Sequence, residues 1–109
     1  MSVRNEQNML KVRVKSILET DELSRDSDDR LYLAVLYQIS AERGINLVQL
    51  PVTSFFSQRK AYGFPSYESV GRCRRKLQED DESLCSTEQV ERMRAKREKE
   101  YEEWAVTTN

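Results

Sequence analysis

Gly63-Phe-Pro-Ser-Tyr-Glu-Ser-Val-Gly-Arg-Cys-Arg-Arg-Lys-Leu-Gln78 reads as a turn followed by a capped helix with two unlike sides. Gly63 and Pro65 stop the helix before them, Ser66 can serve as N-cap, and Glu68 falls in the first turn, where a carboxylate suits the positive helix end. At about 100° per residue, Ser66, Val70, Cys73 and Leu77 gather on one side and Arg72, Arg75 and Lys76 stand across from them, with Glu68 and Ser69 alongside. One side is built to pack and the other to bind. Arg74 lies nearer the packed side, which suggests a structural role for it.

Immediately upstream, Pro51 suits the first turn of a helix over 52–62, with Phe55 and Phe56 facing inward and Ser57, Gln58, Arg59 and Lys60 facing solvent. The next helix, over 66–79, follows across a turn of about three or four residues, the length used by a helix-turn-helix unit. The pattern departs from the usual one in three places. With Gly63 as the turn glycine, Arg59 stands where a small residue is common, and Ser69 and Arg72 stand where buried apolar residues are common. No hairpin-like sequence follows to make a wing.

Further outward the periodicity predicts three more helices. The first, over 6–20, repeats Leu10, Val14, Ile17 and Leu18 at helical spacing, with Lys11, Arg13 and Lys15 outward. The second runs over 27–43: Ser27 can cap it, Asp28 and Asp29 favour its N-terminus, and Gly44 follows its last turn. Its centre, Leu31 to Ile39, is apolar nearly all round, so it should be the helix against which the others pack. The segment 45–50 can be extended or a single turn. The fifth helix starts at Ser86 or Thr87, with Gln89 placed for a capping box, and continues to about residue 105. It mixes Arg and Lys with Glu at supportive spacings of four, among them Arg94 to Glu98 and Lys96 to Glu100. An apolar stripe of Val90, Met93, Tyr101 and Trp104 is interrupted by Arg97. This helix either lies across its own domain or projects to make a dimer or partner contact through Met93, Tyr101 and Trp104, since large aromatics are favoured anchors.

The expected architecture is therefore all-α: one compact domain, residues 1–109, of about five helices, with residues 1–5 and 107–109 frayed. At 109 residues there is room for one modest core. Charged residues make up 34% and hydrophobic ones 38%, with only 3 Gly and 2 Pro, which fits a helix-rich chain with long solvated surfaces. No apolar run approaches the roughly 20 residues that span a bilayer, and the N-terminus lacks a signal-peptide core, so a cytoplasmic protein with no membrane partner is expected. Cys73 and Cys85 are too few for a disulfide framework: Cys73 reads as a small core residue and Cys85 as an incidental loop thiol.

The net charge of −1 conceals segregation. Over 51–78 six cations face a single acid, Glu68, and over 19–29 six acids face a single cation, Arg25. A further acidic run, Glu79 to Glu82, follows the basic helix. Catalysis finds little support. The chain has no histidine, which removes Ser-His and Cys-His nucleophiles and imidazole acid-base chemistry. The cysteines make no zinc site, the glycines no phosphate loop, and the Asp26-Asp28-Asp29 fragment of a calcium loop has Leu31 where glycine is required. Carboxylates at Glu79 to Glu82 could serve a metal, but adjacent acids after a helix are commonly solvated. No enzyme activity, metal or cofactor is expected.

The leading expectation is double-stranded DNA binding by the helix-turn-helix-like pair. Arg72, Arg75 and Lys76 would meet base edges or phosphates, Arg59 and Lys60 would neutralise phosphates, and Ser66, Tyr67 and Ser69 would add hydrogen bonds near the helix start. The alternative is a protein-binding inhibitor or adaptor that uses the acidic blocks or the last helix.

The order of features, an acidic Ser-Asp-Asp start, a Leu-rich helix, Leu50-Pro51, then Pro-Ser-Tyr-Glu-Ser-Val-Gly-Arg-Cys-Arg-Arg-Lys-Leu-Gln and a Glu/Arg-rich tail, resembles small phage- and prophage-encoded proteins of Gram-positive bacteria. The resemblance implies a setting, the bacterial cytoplasm during infection or lysogeny, and not an activity. Small helical proteins there commonly act as DNA-binding regulators or as inhibitors of host factors, so a regulatory or accessory factor, possible as a homodimer, fits either expectation.

Overall fold

A computed structural model describes the backbone of residues 3–107 and the side chains of residues 8–104. Among the described residues there are five α-helices: α1 Val3–Thr20, α2 Asp28–Arg43, α3 Val52–Tyr62, α4 Tyr67–Asp80 and α5 Thr87–Thr107. Among the described residues there is no strand, and no helix is long and apolar enough to cross a membrane. Residues 3–5 and 107, expected to fray, are helical. Residues 1, 2, 108 and 109 lie outside the described residues.

The helix ends form where the sequence supplies the caps. Ser27 accepts the Arg30 N–H and Ser66 the Ser69 N–H, each relieving an orphan donor of the first turn. Ser86 and Gln89 exchange hydrogen bonds of 2.9 and 3.1 Å in a complete capping box. Gly44 and Gly63 close α2 and α3 in the left-handed region, at φ of 68° and 83°. At Gly63 the positive φ is what calls for glycine; the Arg43 guanidinium that lies 2.5 Å from where a β-carbon would stand is the flexible end of an exposed side chain and can move aside.

The core is made by α1, α2 and α4. Val14, Ile17 and Leu18 of α1 meet Leu31, Val35, Leu36 and Ile39 of α2 and Val70 and Leu77 of α4, with Phe64 and Leu84 closing the ends. α3 joins through Phe55, whose ring lies 5.6 Å from that of Phe64. α3 is bent at Gln58, where φ is −122° and ψ 19°. Short 3-10 turns, which periodicity does not announce, occupy Glu22–Arg25, Leu47–Gln49 and Glu82–Leu84. The undecided segment 45–50 therefore contains a 3-10 turn, capped by the Asn46 side chain.

Several expected orientations are corrected. Phe56 is not inward but 73% exposed: adjacent residues on a helix diverge by about 100°, so with Phe55 turned to Phe64 its neighbour turns outward. The centre of α2 is buried on one side only, leaving Leu33 and Tyr37 each 52% exposed. Arg13 is not a free outward cation: it is half-buried and pairs with Glu42 at 2.8 Å, tying α1 to the end of α2. Cys85 is buried beside the carbonyl of Gln78, so it belongs to the core and not to a loop surface. Cys73 is half-buried against the core. α5 does not lie across the domain. Its first turns are anchored, every residue from Arg94 to Trp104 is exposed, and the molecule extends 63 Å along its longest axis against 28 and 24 Å across.

Two outcomes follow from this packing. Leu31→Ala, at a fully buried position, should lower stability to urea by about 2–5 kcal/mol, whereas Leu33→Ala two residues on should change it by less than about 0.5 kcal/mol. Burial pushes both the Cys73 and Cys85 thiols above their ordinary range, which withholds the reactive thiolate. Ellman's reagent should accordingly label the folded protein slowly and the urea-unfolded protein fast; rapid labelling of both thiols in the native state would contradict the placement.

Candidate nucleic-acid interface

α4 is positioned by a polar network at the start of α2. Arg74, with a side chain only 13% exposed, donates to Asp28 Oδ1 at 2.7 Å, to the Arg25 carbonyl at 2.9 Å and to Gln78 Oε1 at 3.1 Å. Buried Gln78 in turn donates to the carbonyls of Arg25 and Leu84, and Gln89 of α5 donates to the same Arg25 carbonyl at 2.7 Å. Gly71 makes room for this arrangement. A β-carbon there would stand 3.3 Å from Asp28 Oδ2, closer than side chains normally pack.

The network divides the cations of the basic helix into two groups. Arg74 is structural, and Arg75, 58% exposed, leans toward Asp28 at 3.8 Å. Arg72 and Lys76 point away from the core into solvent. Arg72 pairs with Glu68 at 2.8 Å, with side chains 71% and 77% exposed. Such an exposed i,i+4 pair is worth only tenths of a kcal/mol and is readily exchanged for a stronger anion. The accessible face of α4 thus comprises Glu68, Ser69, Arg72, Arg75, Lys76 and Glu79.

The remaining nominated residues separate likewise. Arg59 is half-buried and its guanidinium donates to the Phe64 carbonyl at 2.8 Å, holding the turn from inside. That is why an arginine can occupy a position where a small residue is usual: its head satisfies a backbone acceptor of the turn. Lys60 is exposed on α3. Ser66 is engaged as the N-cap, and its hydroxyl donates to Ser69 Oγ at 2.7 Å. Tyr67 donates its hydroxyl to Asp29 at 2.7 Å and packs edge-on against Tyr32, with ring centres 5.3 Å apart. The carboxylate beside it raises the Tyr67 phenol above its usual range. Met93 is half-buried, whereas Tyr101 and Trp104 are 70% and 62% exposed with ring centres 6.2 Å apart.

The acidic segment 19–29 is therefore largely scaffold. Asp28 and Asp29 face α4, Asp21 binds Arg30 at 2.8 Å, and Asp26 accepts from Ser86 at 2.9 Å. The Arg30 guanidinium holds the Asp21 carboxyl below its usual range. Asp81 caps the turn Glu82–Leu84 through the Ser83 N–H and hydroxyl, and those bonds lower its titration as well.

One contributor was missed in the sequence. Burial raises the Cys73 thiol and the charge of Lys11 on α1 partly offsets that rise, while Lys15 acts in the same electrostatic sense on Asp81. Both lysines are exposed, so α1 brings cations to the flank of α4. Their spacing of four on the outer side of an amphipathic helix was the available signal, but which helix they would adjoin was not.

Replacing the two arginines should separate structure from surface. Arg74→Ala leaves the Asp28 carboxylate and Gln78 Oε1 without the donor they share, while the Arg25 carbonyl keeps Gln78 and Gln89, and should cost roughly 1–3 kcal/mol in thermal or urea unfolding. Arg72→Ala should leave stability unchanged within about 0.5 kcal/mol.

No protein-family model matches the chain, and no curated protein or solved structure matches it.

Proposed function

We propose that this chain is a non-enzymatic, DNA-binding regulatory or accessory factor in which the exposed side of α4 meets duplex DNA. The observation that carries the reading is the division of α4: Val70, Leu77 and Gln78 are buried, while Ser69, Arg72, Arg75 and Lys76 lie accessible along the other side. In this reading Arg72 leaves Glu68 for a phosphate or a guanine edge, which its planar fork can bind with two hydrogen bonds. Lys76, Lys60 on the preceding helix and Lys11 on the neighbouring one supply phosphate contacts. Arg59, Ser66 and Tyr67, already committed to the turn, the cap and Asp29, hold α4 in place and do not take part directly.

Fluorescence anisotropy with a random-sequence duplex provides the test. If about four phosphates are neutralised, affinity should fall by roughly two orders of magnitude between about 50 and about 200 mM salt. Arg72→Ala with Lys76→Ala should weaken binding at least tenfold and flatten the salt dependence by about two contacts. Absence of binding to any duplex at low salt would end the reading. Binding unaffected by the double substitution would relocate the site. A protein-binding role is the competing reading, supported by the exposed aromatic end of α5; it calls for no salt-sensitive duplex binding.

A further inference from the structure

The apolar stripe of α5, half-buried at Val90 and Met93 and exposed at Tyr101 and Trp104, has a symmetry that a helix lying on its own domain does not need. Val90, Met93, Arg97, Tyr101 and Trp104 are separated by three, four, four and three residues, so the pattern reads the same in both directions about Arg97. At about 100° per residue these five positions fall within a sector of roughly 80°, one narrow face of the helix. The spacing repeats over eleven residues, close to the natural period of an α-helix, so two such helices can pair with almost no supercoil. α5 leaves the domain after its first turns, and its residues from Arg94 to Trp104 are exposed to an approaching helix.

Charge is arranged in the same sense. Between Arg92 and Arg97 the helix carries four cations and no acid, and between Glu98 and Glu103 it carries four acids and one cation, Lys99. Two copies side by side in the same direction would set like charge against like. Two copies in opposite directions set the basic half of each on the acidic half of the other.

From these observations we propose that α5 pairs with α5 of a second copy of this chain, antiparallel, with the two-fold axis passing beside Arg97. Met93 then packs on Tyr101 of the second copy, and Val90 on its Trp104. On one flank Arg94 meets Glu98 across the pair, and on the other Lys96 meets Glu100. The two Arg97 side chains approach each other at the axis, where the neighbouring Glu98 and Glu100 of the opposite helix offset their charge. A polar residue at such a position fixes register at a cost in affinity, so the dimer is concentration-dependent. This inference rests on α5 alone and does not depend on DNA binding.

Sedimentation and engineered cysteines in the full chain test it. The wild-type protein should shift from monomer to dimer as concentration rises. Under mild oxidation R97C should link to itself. M93C and Y101C should each fail to self-link but should link to one another when mixed, while the wild type, whose thiols are sheltered, should give no covalent dimer. A protein that is monomeric at every concentration overturns the proposal, and so does self-linking at both 93 and 101, which indicates a parallel pair. Reversing charge with R94E and K96E should weaken the dimer at least tenfold, and adding E98K and E100K to the same chain should restore it. Circular dichroism distinguishes loss of pairing from loss of the helix, and failure of the fourfold variant to regain the dimer while remaining helical counts against the register.

Discussion

Arg74 donates at once to Asp28, to the Arg25 carbonyl and to Gln78, and this half-buried node governs where α4 stands. A guanidinium with little access to water must find acceptors for its fixed array of donors, and the start of α2 together with the preceding 3-10 turn provides them. The same Arg25 carbonyl receives Gln78 and Gln89, so the orientation of α4 and the departure of α5 are set at one point. Because the node lies on the side of α4 facing α2, it fixes which cations remain for solvent. Arg74 is consumed, Arg75 is half-held, and Arg72 and Lys76 are left.

This arrangement gives the acidic and basic segments of the chain a different meaning from the one their charges suggest. Six acids in one stretch and six cations in another look like two surfaces for two partners. In the folded protein part of each is spent on the other: Asp28 on Arg74 and Arg75, and Asp29 on the Tyr67 hydroxyl. The surplus is what can act on anything outside. It lies along the outer side of α4, at Arg72, Arg75 and Lys76, with Lys60 exposed on the preceding helix.

Much of the fold was legible because its determinants are local. The caps Ser27, Ser66 and Ser86, the terminators Gly44 and Gly63, and the apolar periodicity of α1 and α4 act within a turn or two, and the helices begin and end close to where these residues place them. The 3-10 turns were not legible, since their few residues carry no period. Phe56, Cys85 and Arg59 were misjudged for one shared reason. Local pattern assigns a residue to an inner or outer side, but whether that side meets anything depends on which other element packs against it and which backbone acceptor lies within reach.

For this protein the sequence by itself determined the number, type and limits of the helices, the one-sided character of α4 and the symmetric stripe of α5, all of which follow from spacing along a single helix. Only the tertiary structure decided which charges are free. Pairing between Asp28 and Arg74 joins positions 46 residues apart, and no periodicity within one element can encode which distant carbonyl or carboxylate will satisfy a buried guanidinium. The candidate interface is therefore the remainder after the fold has taken the cations it requires.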